Sequence, residues 1–168
     1  KLKSIHGVAI SSVVPNLTEV FELMGKKYFG VEPLVVSAEL DLGIKIHYED
    51  PSTVGADRLC NAVAGFAKYG GPIILIDFGT STTYDVVSED GDYLGGVIAP
   101  GIETSAADLH RRAAKLPRIE LRFPRDVVGK DTVSSMQSGI LYGAVDAMEG
   151  MVKRVKEAIG ANAKVVAT

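Results

Sequence analysis

Apolar residues recur along the chain at two spacings, which predict strands in alternation with helices. Short apolar runs that end at turn residues predict strands at 7–15, 33–38 and 72–77, and PIILID is the most apolar of them. A period-two alternation at 43–51 predicts an extended segment that leads into a loop. The run AKVVAT at 163–168 predicts one more strand.

Helical spacing of apolar residues predicts helices at 16–30, 55–71, 102–115 and 133–159. The second of these helices begins near Asp57 and stops at a pair of glycines. The first helix carries an apolar face, which consists of Leu17, Val20, Phe21 and Met24.

A predicted hairpin lies between the second and third helices. Residues 81–101 read as two strands joined by a turn at Asp90-Gly91. Strands and helices in alternation, with a hairpin inserted, predict an α/β or α+β protein with a mixed sheet. The Pro-rich passage 116–126 fits either a mobile loop or a fixed edge strand.

Composition narrows the classes of function. The 168 residues are 46% hydrophobic and 23% charged, as in a globular domain with a substantial core. The net charge is −3 and the 18 Lys and Arg residues are spread out, so we expect no nucleic-acid partner. The single cysteine, Cys60, excludes an intrachain disulfide and favours a reducing, cytoplasmic location. No apolar run reaches the length of a membrane span, so we expect a soluble protein without a membrane partner.

Both ends of the sequence suggest a longer native protein. The chain begins with Lys1 rather than Met, and a strand pattern follows almost at once. At the other end, the last predicted strand has nothing after it. We therefore expect additional residues at both ends.

The stretch ILIDFGTSTTYDVV, residues 74–87, carries a first candidate chemistry. Asp77 ends a buried strand, and Gly79, Thr80 and further hydroxyls follow in a turn. Such a turn presents a carboxylate, backbone amides and hydroxyls to a phosphate and its counter-cation. Alternatively, Asp77 caps a turn and Thr80 to Thr83 are strand formers on a half-exposed hairpin. The local pattern leaves both interpretations open.

A second candidate is GADR, residues 55–58, at the start of the second predicted helix. A carboxylate there is stabilised by the positive end of the helix dipole, whether or not it takes part in chemistry. Arg58 could bind a carboxylate with two hydrogen bonds, or it could pair with Asp57 on the surface.

Taken together, the motifs resemble the type III pantothenate kinases over nearly the whole chain. The motifs, in order, are GADR, IDFGTSTTYDVV, YLGGVIAPGI, AAKLP, GKDT and SGILYGAV. The resemblance implies a two-lobed ribonuclease H-like fold of the acetate kinase, sugar kinase, Hsp70 and actin superfamily, with an ATP site between the lobes. Residues 1–54 would then be the remainder of the first lobe, and 55–168 the second lobe with a connecting helix and a dimerisation helix.

The resemblance also implies a pantothenate pocket. Asp57 would be the general base on the hydroxyl that receives phosphate, and Arg58 a partner of the substrate carboxylate. Tyr48 is alternatively an ordinary strand residue, and GKDT alternatively a helix start capped by Asp131 or Thr132. The matched positions are Tyr48, Gly55, Ala56, Asp57, Arg58 and Thr132.

The same resemblance implies that Asp77 binds a monovalent cation, K⁺ or NH₄⁺, and that Thr80 contacts an ATP phosphate. The implied reaction is ATP- and Mg²⁺-dependent phosphorylation of pantothenate to 4′-phosphopantothenate, the first step of coenzyme A biosynthesis. Family members are homodimers. Gly139, Gly143 and Ala147 form a row that would let another helix approach, although intramolecular packing also explains such a row.

The sequence departs from the family at its ends. The family begins with an Asp-x-Gly-Asn-Thr turn at the ATP phosphates and carries a late Gly-Gly turn at the adenosine site, and neither is present. We therefore expect the 168-residue stretch alone to be inactive. The alternatives are a non-catalytic accessory or regulatory relative, and another small-molecule kinase of the same superfamily.

Overall fold

The computed structural model describes residues 4–168, which form two compact units. The first unit extends to Gly71 and also includes Val87–Gly95. The second unit consists of Pro72–Val86 and Gly96–Thr168.

A parallel pair of short strands opens the first unit. Strand β1 (Ala9–Ile10) pairs with β2 (Leu34–Val35). Helix α1 (Pro15–Met24), extended by a π-helical turn at Gly25–Phe29, connects the two strands, as parallel pairing requires. The predicted helix and strands are therefore present, but the strands are shorter than the apolar runs.

The predicted apolar face of α1 is largely exposed to solvent. Leu17, Val20 and Phe21 are all exposed, and Met24 is half-buried. The spacing thus predicted the helix, but within residues 4–168 little packs against this face.

Helix α2 (Ala56–Tyr69) begins where the sequence predicted and buries Leu59 and Ala62 completely. The extended segment before it pairs at Ile46 with Tyr93, and a 3₁₀ turn at Pro51–Thr53 leads into α2. This confirms the prediction of an extended segment followed by a loop.

A four-stranded sheet has the order β5-β4-β3-β6. Strands β3 and β6 are parallel, while tight turns join β3 to β4 and β4 to β5. The sheet is therefore mixed, as predicted. The strands are β3 (Ile73–Phe78), β4 (Ser81–Val87), β5 (Tyr93–Pro100) and β6 (Lys164–Ala167).

Two helices complete the second unit, α3 (Ile102–Arg112) and α4 (Thr132–Ile159). One face of the sheet packs against α4 and forms the core of this unit. The buried residues of that core are Ile74, Ile76, Tyr84 and Ala163, and Met148, Met151, Val152 and Val155 of α4 pack on them.

The chain between α3 and α4 is irregular but anchored. The Gln137 side-chain amide donates to the Glu120 carbonyl at 2.9 Å, and the Ser138 hydroxyl donates to the Val127 carbonyl. The edge-strand alternative for 116–126 is therefore wrong. This segment pairs with no strand, and its backbone accepts a hydrogen bond from a side chain of α4 instead. In the described part of the chain, no helix is both long enough and apolar enough to cross a membrane.

Candidate functional site

The start of α2 presents the Asp57 carboxylate. Oδ1 of Asp57 accepts a hydrogen bond from the Arg58 backbone N–H at 2.8 Å, within the first turn of the helix. A Cβ atom on Gly55 would lie 2.5 Å from that same oxygen, so a larger residue at this position would displace the carboxylate. The positive end of the helix dipole favours the ionised carboxylate there.

A cavity of about 610 Å³ adjoins this helix start and is lined by Gly55 and Ala56. The hydroxyl groups in the lining of this cavity suit a polar small molecule. The lining also includes the carboxylates of Glu19 and Glu39, which repel an anionic group placed beside them. The residues with hydroxyls in the lining are Ser12, Thr18, Ser37, Ser52 and Thr53.

Arg58 and Tyr48 both lie near Tyr93. The Arg58 guanidinium carbon is 5.9 Å from the centroid of the Tyr93 ring, within the range of a cation–π contact. The rings of Tyr48 and Tyr93 are 6.4 Å apart, with Tyr93 fully buried and Tyr48 38% exposed. Sequence reasoning missed Tyr93, whose only signal is its place at the start of a hairpin strand.

A side-chain hydrogen bond fixes the segment that carries Tyr48. The His47 Nε2 atom is 2.9 Å from Asp92 Oδ2, and this hydrogen bond lowers the pKa of the Asp92 carboxyl. The His47 backbone N–H also donates to the Tyr93 carbonyl at 2.8 Å. His47, the residue before Tyr48, is therefore held through both its backbone and its side chain, and Tyr48 lies next to Tyr93.

In the second unit, Asp77 and Thr80 lie together where β3 ends. Asp77 is half-buried, and Thr80 is exposed in the turn between β3 and β4. The Thr80 carbonyl accepts hydrogen bonds from the Gly101 N–H at 3.1 Å and from the Thr104 hydroxyl at 2.7 Å. The N-terminus of α3 is thereby fixed against the turn, and its positive end favours an anion nearby.

Asp85 is a buried carboxylate that sequence reasoning missed. Ile76 and Tyr84 face α4, so by strand alternation Asp77 and Asp85 lie on the opposite face of the sheet. Asp85 is completely buried and accepts a hydrogen bond from the Thr83 hydroxyl at 3.3 Å. A buried carboxylate requires such partners, so Asp85 belongs to a polar network on the Asp77 face.

Thr132 is the first residue of α4, in the second unit. It lines a cavity of about 680 Å³ together with Lys130, Ser135 and Met136. Asp131, not Thr132, caps α4: its carboxylate accepts the Ser134 N–H at 2.9 Å and the Ser134 hydroxyl at 2.8 Å. These bonds lower the pKa of Asp131 and leave the Thr132 hydroxyl out of the cap.

The candidate residues are thus divided between the two units. Tyr48 and residues 55–58 belong to the first unit, while Asp77, Thr80 and Thr132 belong to the second. Throughout 4–168, no group of three or more His, Cys, Asp or Glu side chains is arranged to hold a metal ion.

Comparison with known proteins gives both a family and a structural neighbour. The family described as type III pantothenate kinase matches residues 1–154. A crystal structure from Campylobacter jejuni, assigned to the Baf family of transcriptional activators, is 17% identical with a TM-score of 0.58. The match covers 89% of this chain and 66% of that chain, so this sequence spans just under two thirds of the neighbour's length. At this identity the likeness supports the fold alone.

Proposed function

Because the chain belongs to the type III pantothenate kinase family, we propose that the protein uses ATP to phosphorylate pantothenate, giving 4′-phosphopantothenate for coenzyme A biosynthesis. The observation that carries the proposal is the family match over 154 of the 168 residues, which includes every candidate site residue. The geometry at the start of α2 supports the proposal, because the absence of a side chain on Gly55 leaves room for the Asp57 carboxylate.

Asp57 acts as the general base in this proposal. Phosphoryl transfer depends chiefly on alignment of donor and acceptor and on neutralisation of charge, so a positioned carboxylate suffices as base. The helix start orients Asp57 through its hydrogen bond with the Arg58 N–H. Gly55 and Ala56 line the adjacent cavity. In this proposal Tyr48, which lies beside Tyr93, forms part of the pantothenate pocket.

Arg58 interacts with the substrate carboxylate in this proposal. Its side chain is buried against Tyr93, which shields the guanidinium from bulk solvent. A guanidinium that is partly desolvated forms strong hydrogen bonds with a carboxylate. Thr132 contributes a further pantothenate contact.

Asp77 and Thr80 serve the nucleotide. Thr80 is exposed beside the N-terminus of α3, which suits an ATP phosphate. The half-buried Asp77 carboxylate supplies an oxygen ligand of the kind that K⁺ or NH₄⁺ requires. Mg²⁺, which usually binds through substrate phosphates with one or two carboxylates, would arrive with ATP and supply charge neutralisation there.

We further propose a ribonuclease H-like, actin-like two-lobed fold, with residues 1–54 in the first lobe and 55–168 in the second. A homodimer and a cytoplasmic location remain predictions of the family resemblance and of the single cysteine. The mixed sheet of the second unit, with its hairpins, parallel β6 and α4 on one face, agrees with such a lobe.

The test is ADP release by the full-length protein with ATP, Mg²⁺ and pantothenate. We expect pantothenate-dependent turnover that falls about 10²- to 10⁴-fold in Asp57→Asn, as for loss of a general base. Asp90→Asn is the matched control, because Asp90 is an exposed carboxylate in a turn of the same unit.

Other outcomes identify the alternatives. Turnover that is stimulated more by a sugar than by pantothenate would indicate another kinase of the superfamily. Pantothenate or ATP binding without turnover would indicate an accessory relative. The name of the Campylobacter jejuni neighbour agrees with the accessory alternative, but that likeness extends to the fold only.

A further inference from the structure

One buried aromatic ring, that of Tyr93, contacts two of the candidate substrate-binding residues. The three residues belong to the first unit, and Tyr93 is completely buried at the start of β5. Its ring centroid is 5.9 Å from the guanidinium carbon of Arg58 and 6.4 Å from the ring centroid of Tyr48. Both distances are within the ranges of direct cation–π and aromatic contacts. Tyr93 therefore lies at the candidate site, although no sequence motif points to it.

The backbone of Tyr93 is held in place by the neighbouring extended segment. Its N–H donates to the Lys45 carbonyl and its carbonyl accepts from the His47 N–H, both at 2.8 Å. The side-chain hydrogen bond between His47 and Asp92 joins the same two segments a third time. The ring therefore has a fixed position, which is what a side chain needs in order to orient its neighbours.

Arg58 is a side chain that benefits from such a support. It is only 7% exposed, and it has many rotatable bonds. A planar guanidinium must be correctly oriented to form two parallel hydrogen bonds with a carboxylate. An arginine that is already held in that orientation loses less conformational freedom when the substrate arrives, so the substrate binds more tightly.

We propose that Tyr93 is a positioning residue, whose ring holds the Arg58 guanidinium in the orientation that binds the carboxylate of pantothenate. This inference deepens the proposed function and rests on it. Tyr93 acts through Arg58 and not on the reacting atoms, so it sets the affinity for a carboxylate and not the rate of phosphoryl transfer. The proposed base, Asp57, is held by the Arg58 backbone N–H, which a change of the Tyr93 ring leaves in place.

The competing interpretation is that Tyr93 is only a core residue. Its loss would then reduce the amount of folded protein and hence the apparent kcat, without changing the affinity of the molecules that remain folded. An effect on KM for pantothenate, with kcat little changed, separates the two interpretations. Tyr48 should stay in place when the ring is removed, because it has a second support: a Cβ atom on Gly95 would lie 3.5 Å from its ring.

The test measures phosphopantothenate formation by the full-length protein, with pantothenol as the competing ligand. Pantothenol is a neutral analogue in which a hydroxymethyl group replaces the carboxylate. We expect Tyr93→Met to raise KM for pantothenate about 2- to 10-fold, as for one long side chain that has to be ordered on binding. The competition constant of pantothenol should not change, because that ligand has no carboxylate for Arg58 to bind. Tyr93→Phe keeps the ring and should keep the wild-type KM.

Tyr84→Met is the matched control, because Tyr84 is a tyrosine of similar burial that packs in the core of the second unit. It should lower Tm but leave KM for pantothenate unchanged. Methionine adapts to irregular gaps, and KM does not depend on the folded fraction, so a destabilised variant still gives a result. In an Arg58→Gln background, Tyr93→Met should raise KM no further, because the guanidinium on which it acts is absent.

Three results would overturn the positioning role while the proposed function stands. The first is a wild-type KM in Tyr93→Met, and the second is an equal rise of KM in Tyr93→Phe, since the hydroxyl and not the ring would then matter. The third is a rise of KM that persists in the Arg58→Gln background. A wild-type protein that forms no phosphopantothenate would overturn the proposed function itself, and this inference with it.

Discussion

At the scale of single residues, the contacts of Gly101 and Gly139 lead to opposite predictions. A Cβ atom on Gly101 would lie 2.2 Å from the Gly79 carbonyl oxygen, whereas a Cβ atom on Gly139 meets nothing within 4 Å. We expect Gly101→Ala to lower the free energy of unfolding by about 1–3 kcal/mol through steric overlap. Gly139→Ala should raise it by about 0.5–1 kcal/mol, because alanine is the better helix former. Urea denaturation measures both, and equal effects would contradict the geometry around the Thr80 turn.

The places of Asp57 and Asp77 in the fold were predictable, because each lies at an element boundary, where a short motif is visible in the sequence. Asp85 and Tyr93 were not, because their importance comes from burial and from neighbours on other strands. A strand pattern shows which face a residue takes, but not how deeply that face is covered.

At the scale of elements, the N-terminus of α4 makes a pH-dependent prediction. Hydrogen bonds from Ser134 lower the folded-state pKa of Asp131, so the capping box stabilises the protein above the unfolded pKa of about 3.9. This stabilisation is lost as the pH falls through the lower, folded pKa. We expect Asp131→Ala to lower Tm by a few degrees at pH 7, and the gap from wild type to narrow below about pH 4.

The matched control for this cap is Asp146→Ala, since Asp146 is an exposed carboxylate in the interior of α4. It should change Tm little at either pH. A gap that stays constant down to pH 2 would show that the charge of Asp131 contributes nothing. The sequence identified the helix start but left Asp131 and Thr132 as alternative caps, because both residue types favour that position. Only the bonds to Ser134 decide between them.

At the scale of the whole molecule, the family resemblance predicted more than local patterns could. Apolar spacing predicted the four helices and the hairpin correctly, because period and turn chemistry are local properties. It could not predict that the apolar face of α1 is exposed. Nor could it predict the irregular path between α3 and α4, because that path depends on hydrogen bonds to side chains of α4. The proposed roles of the candidate residues came from the resemblance.

Asp77 offers such a test, because its proposed role in cation binding affects the protein with or without turnover. We expect K⁺ to stimulate ADP release by the wild type, and Asp77→Asn to lose that stimulation, since the amide cannot neutralise the cation. We also expect K⁺ in the presence of ATP to raise the Tm of the wild type but not of the variant, because ligand binding stabilises the folded state. Both are measured at constant ionic strength with choline replacing K⁺, and Asp90→Asn should behave as wild type. If Asp77→Asn kept both responses, the cation would bind elsewhere, and the half-buried carboxylate would then have only a structural role in the network on its face of the sheet.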